Sequence, residues 1–479
     1  MNVDFNVDEL SQKYFVDNMP SGVMREIAEF IYEQSPYPVP EISIAGSIGL
    51  FAGIVGRQYN FSAQGLNQYI IVVAGTGMGK NAIHTGTSKI VGALRAKLAD
   101  SVRGELSKHN LADSILGPAE IASGQALLNY LAERDSPCCV SFVGEFGIRL
   151  QQITSERAQS HERTLKRALL DLYSRSGAGQ IISPMIYADK IKNSAPINSP
   201  AFTLVGESTG SEFYGALDER NIRSGLVPRF LVIEYSGVRS LLNKKHALAT
   251  VPAALVSKLD DILVHCAELA HSGTICTVGC TAEAEIAFDI VEGHATAAMG
   301  AGSGSMRQEI WSRFREKIQR LAALAAVAHN HRQPVINLPM MKWATSIVVA
   351  DAKRMIARCD AGDLGEQDES DAVKQVQVVV EVCRNYLNSK YHDLPKNGAT
   401  ELMHKNATLP YPYIQRTVKR TPFKRDRRGP TIALRETLKE MCELQLLQEM
   451  PKNQARQLFQ SNSVCYTISD PERILHSEA

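Results

Sequence analysis

The chain has almost no net charge: 52 lysines and arginines balance 51 aspartates and glutamates, for a formal charge of +1 over 479 residues. Long-range attraction of a polyanion by the whole protein is therefore excluded, and any nucleic-acid binding must come from a local cluster of cations. The nine cysteines form no regular framework. Scattered cysteines are typical of proteins in a reducing cytosol, so a disulfide-stapled secreted fold is not expected.

Long apolar runs are also missing. The longest candidate, residues 42–56, is interrupted by glycines and is too short to span a bilayer. The first residues include Asp4, Asp8 and Glu9, unlike the basic start of a signal peptide. With 44% hydrophobic and 22% charged residues, a globular core is feasible. We therefore expect a cytoplasmic protein of about three domains with no membrane partner.

The most informative stretch is an apolar run that ends in a glycine-rich turn and a lysine. Residues 70–73 are uncharged and β-prone, as in a buried parallel strand. Gly75, Gly77 and Gly79 let the backbone turn sharply and point N–H groups at an anion. Lys80 opens a predicted helix whose positive end faces the same anion. The pattern predicts a P-loop and therefore a nucleoside triphosphate, ATP. The predicted ligands in the loop are Gly75, Thr76, Gly77, Met78, Gly79, Lys80 and Asn81.

This loop departs from the usual pattern G-x-x-x-x-G-K-[ST] at two positions. Ala74 replaces the first glycine, and Asn81 replaces the hydroxyl residue that normally ligates magnesium. An asparagine carbonyl oxygen can also hold a hard cation, so Asn81 is the predicted Mg²⁺ ligand. The preceding strand argues against an ordinary glycine turn. The sequence thus predicts binding of ATP with Mg²⁺ and leaves hydrolysis open.

Three further apolar strands are predicted, with helical patterns between them. They cover residues 138–143, 201–205 and 230–234. Alternating strands and helices predict a parallel sheet with right-handed crossovers, in which ligands bind beyond the carboxyl ends of the strands. Glu145 and Glu207 lie at such ends together with Lys80. Ser208 and Thr209 follow Glu207, and we predict them as polar contacts near the γ-phosphate.

Two candidate catalytic side chains follow from this arrangement. Glu145 ends an apolar strand where it can orient water as a base, although Gly144 stands where a metal-bound aspartate is usual. A solvated loop carboxylate is the alternative role of Glu145. Arg229 precedes the fourth strand, where an arginine can reach the γ-phosphate of a neighbouring subunit. Arg223 competes with it for this role, and a surface salt bridge is the alternative.

The sequence divides into four predicted segments: a helical segment (1–57), a P-loop ATPase core (58–240), a helical lid (241–370) and a winged-helix DNA-binding domain (371–479). The best lid helix covers 307–330. The last segment has helical patterns at 372–387, 410–420 and 431–449 and a strand at 464–468. The third of these helices should point Leu434, Leu438, Met441 and Leu444 inward. The predicted class is α/β, a P-loop NTPase (AAA+ or RecA-like) with a parallel sheet, a helical lid and a winged helix.

A dense basic run precedes the third C-terminal helix, opposed only by Asp426. Its cations are Arg416, Lys419, Arg420, Lys424, Arg425, Arg427 and Arg428. Such a local field suits phosphate contacts, and Tyr411 and Tyr413 lie nearby for stacking on bases. A merely solvated charged face is the alternative. The winged-helix context favours DNA binding.

A second cluster invites a metal interpretation but does not fit one. Its members are His265, Cys266, His271, Cys276 and Cys280. Their spacings match no standard zinc finger. Residues 275–278 are better interpreted as a short strand that carries a cysteine.

Taken in order, these segments resemble the helicase-like P-loop ATPases of phages, plasmids and integrated elements, which are often encoded with primase-polymerases. The resemblance covers most of the chain from Pro20 onward. It depends on VPEISIAGSIGLFAG, AGTGMGKN, VGEFGIRL, LLDLYSRSG, SGLVPRFL and LKEMCELQLL. It implies Lys80 as phosphate ligand, Glu145 as the acidic catalytic residue and Arg229 as an arginine finger. It also implies a ring-shaped oligomer, for which we predict six subunits, and a role in replicating a mobile element, with a primase-polymerase as a partner.

Three functions remain open at this stage. The first is an ATP-dependent DNA helicase that acts as an oligomeric ring on single-stranded or forked DNA. The second is a nucleotide-gated, DNA-binding replication initiator or assembly factor with weak or no hydrolysis, which the residues Asn81 and Gly144 favour. The third is an ATPase of phage defence with the same core.

Overall fold

The computed structural model describes residues 3–101, 109–155, 157–184, 193, 195–217, 221–222, 224–300, 306–360, 367–418, 423, 429–469 and 471–476. The chain forms two compact units, Met1–Leu364 and Gly365–Ala479. The finer boundaries predicted at residues 57 and 240 stay predictions. Among the helices that the structure describes, none has the length and apolar character needed to cross a bilayer.

The helices of the first unit are α1 (Gln12–Asp17), α2 (Val23–Glu33), α3 (Pro40–Val55), α4 (Ala82–Ser101), α5 (His109–Asp113), α6 (Gly124–Ala132), α7 (Phe146–Thr154), α8 (Ser160–Ser174), α9 (Gly210–Gly215), α10 (Ala253–His271), α11 (Ala282–Gly300), α12 (Met306–Ser312), α13 (Phe314–His329) and α14 (Leu338–Asp360). Its strands are β1 (Tyr59–Phe61), β2 (Gln64–Gly65), β3 (Tyr69–Ala74), β4 (Cys138–Val143), β5 (Ile181–Ile182), β6 (Ile197–Asn198), β7 (Ala201–Ser208), β8 (Leu231–Tyr235), β9 (Cys276–Thr277), β10 (Gly279–Cys280) and β11 (Val335–Ile336). Short 3₁₀ helices cover Val7–Glu9, Val227–Arg229 and His246–Leu248.

The centre of the first unit is a four-stranded parallel sheet in the order β4-β7-β3-β8. All residues of β3 and β4 are buried, because strands covered on both faces must be apolar throughout. The predicted parallel α/β sheet is confirmed, and β7 continues beyond the predicted residue 205 to Ser208. Since β7 lies between β3 and β4, the strand before the glycine-rich turn does not pair with the strand that ends before Glu145.

Helix α3 lies directly on the sheet. Pro40 occupies its first turn, where the missing N–H costs nothing, and the helix is buried from Ile42 to Val55. A Cβ at Gly49 would lie 2.3 Å from Val205 Cγ2, and one at Gly53 would lie 2.7 Å from Val140 Cβ. These glycines therefore let the helix backbone approach β7 and β4 closely.

The segment predicted as a lid differs from the single helix predicted over 307–330. Two helices, α12 and α13, meet at Arg313, whose φ of −107° and ψ of 6° leave the helical region. Trp311 and Phe314 pack their rings together across the break, with 4.6 Å between centroids. The apolar residues at helical spacing in this stretch are nonetheless all buried: Ile310, Phe314, Ile318, Leu321 and Ala325. The break was not predictable because arginine is a good helix former.

The second unit contains α15 (Gln367–Asn388), α16 (Glu401–Lys405), α17 (Tyr411–Thr417), α18 (Pro430–Glu443), α19 (Lys452–Phe459) and α20 (Pro471–His476), with strands β12 (Thr408–Pro410), β13 (Leu447–Met450) and β14 (Cys465–Ile468). A short 3₁₀ helix covers Tyr391–Asp393. The strands form an antiparallel sheet in the order β12-β14-β13.

One helix of this unit is shorter than predicted. The prediction over 431–449 is wrong at its end, because α18 stops at Glu443 and Gln445 adopts a left-handed conformation with φ +58°. Leu434, Leu438 and Met441 are buried as predicted, whereas Leu444 is 46% exposed. The residues that follow form β13, which completes a hairpin with β14.

Candidate functional site

The glycine-rich turn connects β3 to α4 as predicted. Gly77 and Gly79 adopt φ values of +75° and +86°, which side-chain-bearing residues rarely adopt. Among residues 76–81 of this turn, five backbone N–H groups donate no hydrogen bond within the part of the chain that the structure describes: those of Thr76, Gly77, Gly79, Lys80 and Asn81. Successive unsatisfied amides next to a helix N-terminus form a ready anion-binding concavity.

The segment between α2 and α3 walls the turn on one side. A Cβ at Gly79 would lie 2.2 Å from the carbonyl oxygen of Tyr37. The buried Gln34 donates from Nε2 to the carbonyl oxygen of Ala82, at 2.8 Å. These contacts fix the start of α4 against the end of α2, so the concavity has a rigid edge.

Lys80 lies at the carboxyl ends of two neighbouring strands. Its Nζ donates to the carbonyl oxygens of Ala74 (2.7 Å) and Ser208 (2.9 Å). Burial lowers the pKa of the Lys80 ammonium, while the carboxylates of Glu207, Glu212 and Glu145 act in the opposite direction. The ammonium is therefore held among acidic groups beneath the turn, where it can meet phosphate oxygens.

Ser208 and Thr209 are close to Lys80, as predicted, but their hydroxyls have local partners. Ser208 Oγ donates to the carbonyl oxygen of Thr209 at 3.1 Å. Thr209 caps α9 by accepting from the Glu212 N–H, and the Glu212 side chain completes a capping box. A role for these two hydroxyls as phosphate contacts stays a prediction.

Glu145 is exposed at the end of β4 and begins α7 in a left-handed conformation, with φ 48° and ψ 34°. A non-glycine residue in this region stores about 1–3 kcal/mol of strain, which is common at functional sites. At Gly144 no atom lies within 4 Å of an added Cβ. The edge that carries Glu145 could therefore accept a second acidic side chain, although this chain has none there.

The side chains at the turn fit the predicted Mg²⁺ ion only in part. Asn81 is exposed at the end of the turn, and its side-chain carbonyl oxygen accepts no hydrogen bond from the described residues. That oxygen can therefore join a cation held by phosphates and water. Within the described ranges, no group of three or more His, Cys, Asp or Glu side chains is placed to hold a metal ion. Asn81 would hold Mg²⁺ with few other protein ligands.

Two residues at this edge were not found from the sequence. His84, one helical turn after Lys80, places Nε2 3.2 Å from Glu207 Oε1. Arg239 lies just after β8 and places its guanidinium over the ring of Tyr37, 3.7 Å from the centroid. The rule that selected Glu145, a polar residue beyond the carboxyl end of a strand, would also have selected Arg239.

Arg229 lies at the amino end of β8, so within one chain it is at the edge of the sheet opposite to Lys80. Its Nη2 donates to Ser174 Oγ at 3.0 Å, and its Nη1 to the carbonyl oxygen of Gly225. Burial lowers the pKa of the Arg229 guanidinium, and the positive charge of Arg313 lowers it further. Its competitor Arg223 lies outside the described residues.

The predicted basic run is described only at Arg416, which is exposed on α17. The other six cations lie outside the described residues: Lys419, Arg420, Lys424, Arg425, Arg427 and Arg428. The stacking role of Tyr413 is wrong, because its ring is 2% exposed and packs edge-on against Tyr386. The half-buried Tyr411 instead lines a cleft of 570 Å³ between α18 and the β13–β14 hairpin, together with Arg435, Lys439 and Lys452.

Comparisons with known proteins add little to this geometry. No protein-family model and no curated protein matches the chain. Among solved structures, the chain is similar to the Aeropyrum pernix ORC2 protein, solved as ADPNP-ADP complexes, with 10% identity over 91% of both chains and a TM-score of 0.24. At that TM-score, the likeness carries no weight for fold or function.

Proposed function

We propose that the first unit binds ATP as its Mg²⁺ complex, with the phosphates in the turn between β3 and α4. The observation that carries this proposal is the row of five free amides beside Lys80. Left-handed glycines shape the row, which lies at the carboxyl edge of a parallel sheet, where such folds bind ligands. An anion as large as a triphosphate is the ligand that satisfies several amides and an ammonium at once.

The second unit is proposed to be a winged-helix DNA-binding domain. Support comes from its chain order: α15, β12, α17, α18 and then the β13–β14 hairpin, with β12 pairing to β14. In this arrangement α18 is the recognition helix and the hairpin is the wing. The basic run just before α18, including the exposed Arg416, supplies cations for phosphate contacts.

We further propose that the protein is an ATP-dependent DNA helicase or related motor that serves replication of a phage or mobile element. Lys80 holds the phosphates and Glu145 orients the attacking water. Arg229 would act on the nucleotide of the next subunit, since it lies at the far edge of its own sheet. A complete site then needs two copies of the chain, which supports an oligomeric ring, for which we propose six subunits.

ATP hydrolysis with and without single-stranded DNA tests this function in the full-length protein. We expect DNA-stimulated turnover that Lys80→Ala abolishes. Arg229→Ala should retain ATP binding and lose hydrolysis, by about 10³-fold or more for an arginine finger. Arg167→Ala, at a largely exposed arginine of α8, is the matched control and should hydrolyse normally. If Arg229→Ala hydrolyses like the control, the role of Arg229 in a neighbouring site is wrong.

A second function is favoured by one observation: both positions expected to ligate magnesium depart from the usual residues, with no acidic side chain at Gly144 and an exposed asparagine at Asn81. With so few magnesium ligands, the protein would bind ATP without fast turnover and act as a nucleotide-gated replication initiator. A non-hydrolysable ATP analogue should then change the affinity for DNA while strand separation stays undetectable. Strand separation driven by ATP would exclude this alternative.

A further inference from the structure

Arg239 differs from the other arginines that stack on aromatic rings in the described part of the chain. The guanidinium of each of the other four is also held by a hydrogen bond or an ion pair: these are Arg134, Arg229, Arg320 and Arg358. Arg239 lies closer to its ring than three of these, yet its guanidinium has neither kind of partner among the described residues. An exposed cation fixed on a ring with all its donors free is ready for an anionic ligand.

Arg239 lies against the glycine-rich turn, and this position indicates which anion it would bind. A Cβ at Gly77 would lie 3.9 Å from Arg239 Cζ and Nη2, so the guanidinium is in van der Waals range of the middle of the turn. The N–H groups of Thr76 and Gly77, which donate no hydrogen bond to the described residues, belong to this same part of the turn. Two kinds of anion-binding donor, amides and a guanidinium, therefore converge on one volume.

The loop that carries Arg239 is held by folded structure. Asn243 donates from its backbone N–H to the carbonyl oxygen of Pro36 at 2.9 Å and from Nδ2 to that of Glu33 at 2.7 Å. Tyr235 donates from its hydroxyl to the carbonyl oxygen of Val238 at 2.6 Å. The two bonds of Asn243 attach the segment after β8 to the turn between α2 and α3, which also supplies Tyr37, and the bond of Tyr235 closes the segment on itself. The guanidinium and its aromatic support are thus placed by the same contacts.

We infer that Arg239, supported by Tyr37, is a second cationic ligand of the nucleotide phosphates in its own subunit. This inference rests on the proposed ATP binding and goes beyond it. It supplies a positive charge at a site where Asn81 and Gly144 leave magnesium few protein ligands. The site should therefore depend less on Mg²⁺ for nucleotide binding than on Arg239, and the contribution of Arg239 should grow with the number of phosphates.

Calorimetric titration of the full-length protein with ATP, AMP and adenosine, each with Mg²⁺ and with EDTA, tests the inference. Arg239→Gln should weaken ATP binding about tenfold or more, as expected for a charge-assisted hydrogen bond. It should weaken AMP binding less and leave adenosine unchanged. Tyr37→Phe should bind ATP like the wild type because the ring is kept, whereas Tyr37→Ala should approach Arg239→Gln. Arg167→Gln, which removes an exposed arginine of α8, is the control, and thermal unfolding verifies that each variant is folded.

The outcomes separate this inference from the function on which it rests. If Arg239→Gln binds ATP as tightly as Arg167→Gln while Lys80→Ala does not bind, the role of Arg239 is refuted and ATP binding stands. An equal loss for ATP and adenosine would refute the phosphate assignment. If the wild type binds none of the three, the proposed function itself fails.

Discussion

The close approach of Gly79 to Tyr37 gives a sharp prediction about the glycine-rich turn. Replacing Gly79 by alanine places a Cβ 2.2 Å from the Tyr37 carbonyl oxygen in a residue whose φ is +86°. Two other glycines serve as references. Gly77 has φ +75° but only ordinary contacts at 3.9 Å, and Gly92, within α4, has open space around it.

The magnitudes follow from these geometries. A left-handed conformation costs an alanine about 1–2 kcal/mol, and forcing apart two packed groups adds about 1–3 kcal/mol. Lower entropy of the unfolded chain returns about 0.4–1 kcal/mol. Gly79→Ala should therefore destabilise the first unit by about 2–4 kcal/mol. Gly77→Ala should cost about 1 kcal/mol, whereas Gly92→Ala should stabilise by about 0.5–1 kcal/mol.

Urea unfolding followed by tryptophan fluorescence measures these differences in the right unit. The chain has two tryptophans. Both Trp311 and Trp343 are buried in the first unit, so the second unit contributes no tryptophan signal. The free energy of unfolding should be highest for Gly92→Ala, followed by the wild type and Gly77→Ala, and lowest for Gly79→Ala. Equal stability of the Gly77 and Gly79 variants would refute the packing of the turn against the Tyr37 carbonyl.

Three further predictions concern catalysis, stability and DNA. An added Cβ at Gly144 meets no atom within 4 Å, so the position has room for a larger residue. Gly144→Asp should raise Mg²⁺-dependent ATP hydrolysis by about tenfold or more, measured as phosphate release. Gly144→Asn, which carries no charge, should not. Burial would raise the pKa of Glu316, but Arg320 and Arg313 outweigh it and lower that pKa. Glu316 thus stabilises the fold above the ordinary glutamate pKa, and this stability is lost as the pH falls through the lowered value. Glu316→Gln should cost about 3–5 kcal/mol near neutral pH, with a smaller difference from the wild type in acid, both measured by urea unfolding. Finally, DNA affinity should fall steeply between low and physiological salt, with a shallower slope in Arg416→Ala; a flat salt dependence in filter binding would contradict the basic run as the contact surface.

The predictable parts of the fold are those in which local sequence and tertiary environment agree. Strands β3 and β4 are buried on both faces, so each appears as an unbroken apolar run. The turn after β3 needs left-handed residues, and the glycines at 77 and 79 mark where. Ligands of parallel sheets bind beyond the carboxyl ends of the strands, and this rule correctly predicted that Glu145 and Glu207 lie near Lys80. The three carboxylates that raise the pKa of Lys80, those of Glu207, Glu212 and Glu145, all lie in or shortly after β4 and β7.

The wrong predictions fall where one residue overrides a longer pattern. The helix over 431–449 continues in apolar periodicity past Glu443, but Gln445 is left-handed and no glycine marks the change. The break between α12 and α13 at Arg313 likewise has no glycine or proline to mark it in the sequence. The position of Tyr413 beside the basic run predicts stacking on bases, whereas the core of the second unit buries its ring against Tyr386.

Other features depend on contacts between distant segments and leave little local signal. The approach of Arg239 to Tyr37 joins residues about 200 positions apart in the chain, and the pairing of His84 with Glu207 depends on the register of α4 above β7. Sheet order belongs to the same class, since the chain order of the strands does not say that β7 lies between β3 and β4. The sequence therefore predicted the glycine-rich turn and Lys80, but not the residues from distant segments that surround them, namely His84, Tyr37 and Arg239.

Binding of ATP to the wild type, Lys80→Ala and Lys89→Ala tests the central claim most directly. Lys89 is an exposed lysine of α4, the helix that follows the turn, so its removal controls for the loss of a charge. Calorimetry should show ATP binding by the wild type and Lys89→Ala, and a loss of about tenfold or more in Lys80→Ala at an unchanged thermal midpoint. Equal affinities in all three proteins, or no binding by the wild type, would contradict the assignment of the turn as a phosphate-binding loop.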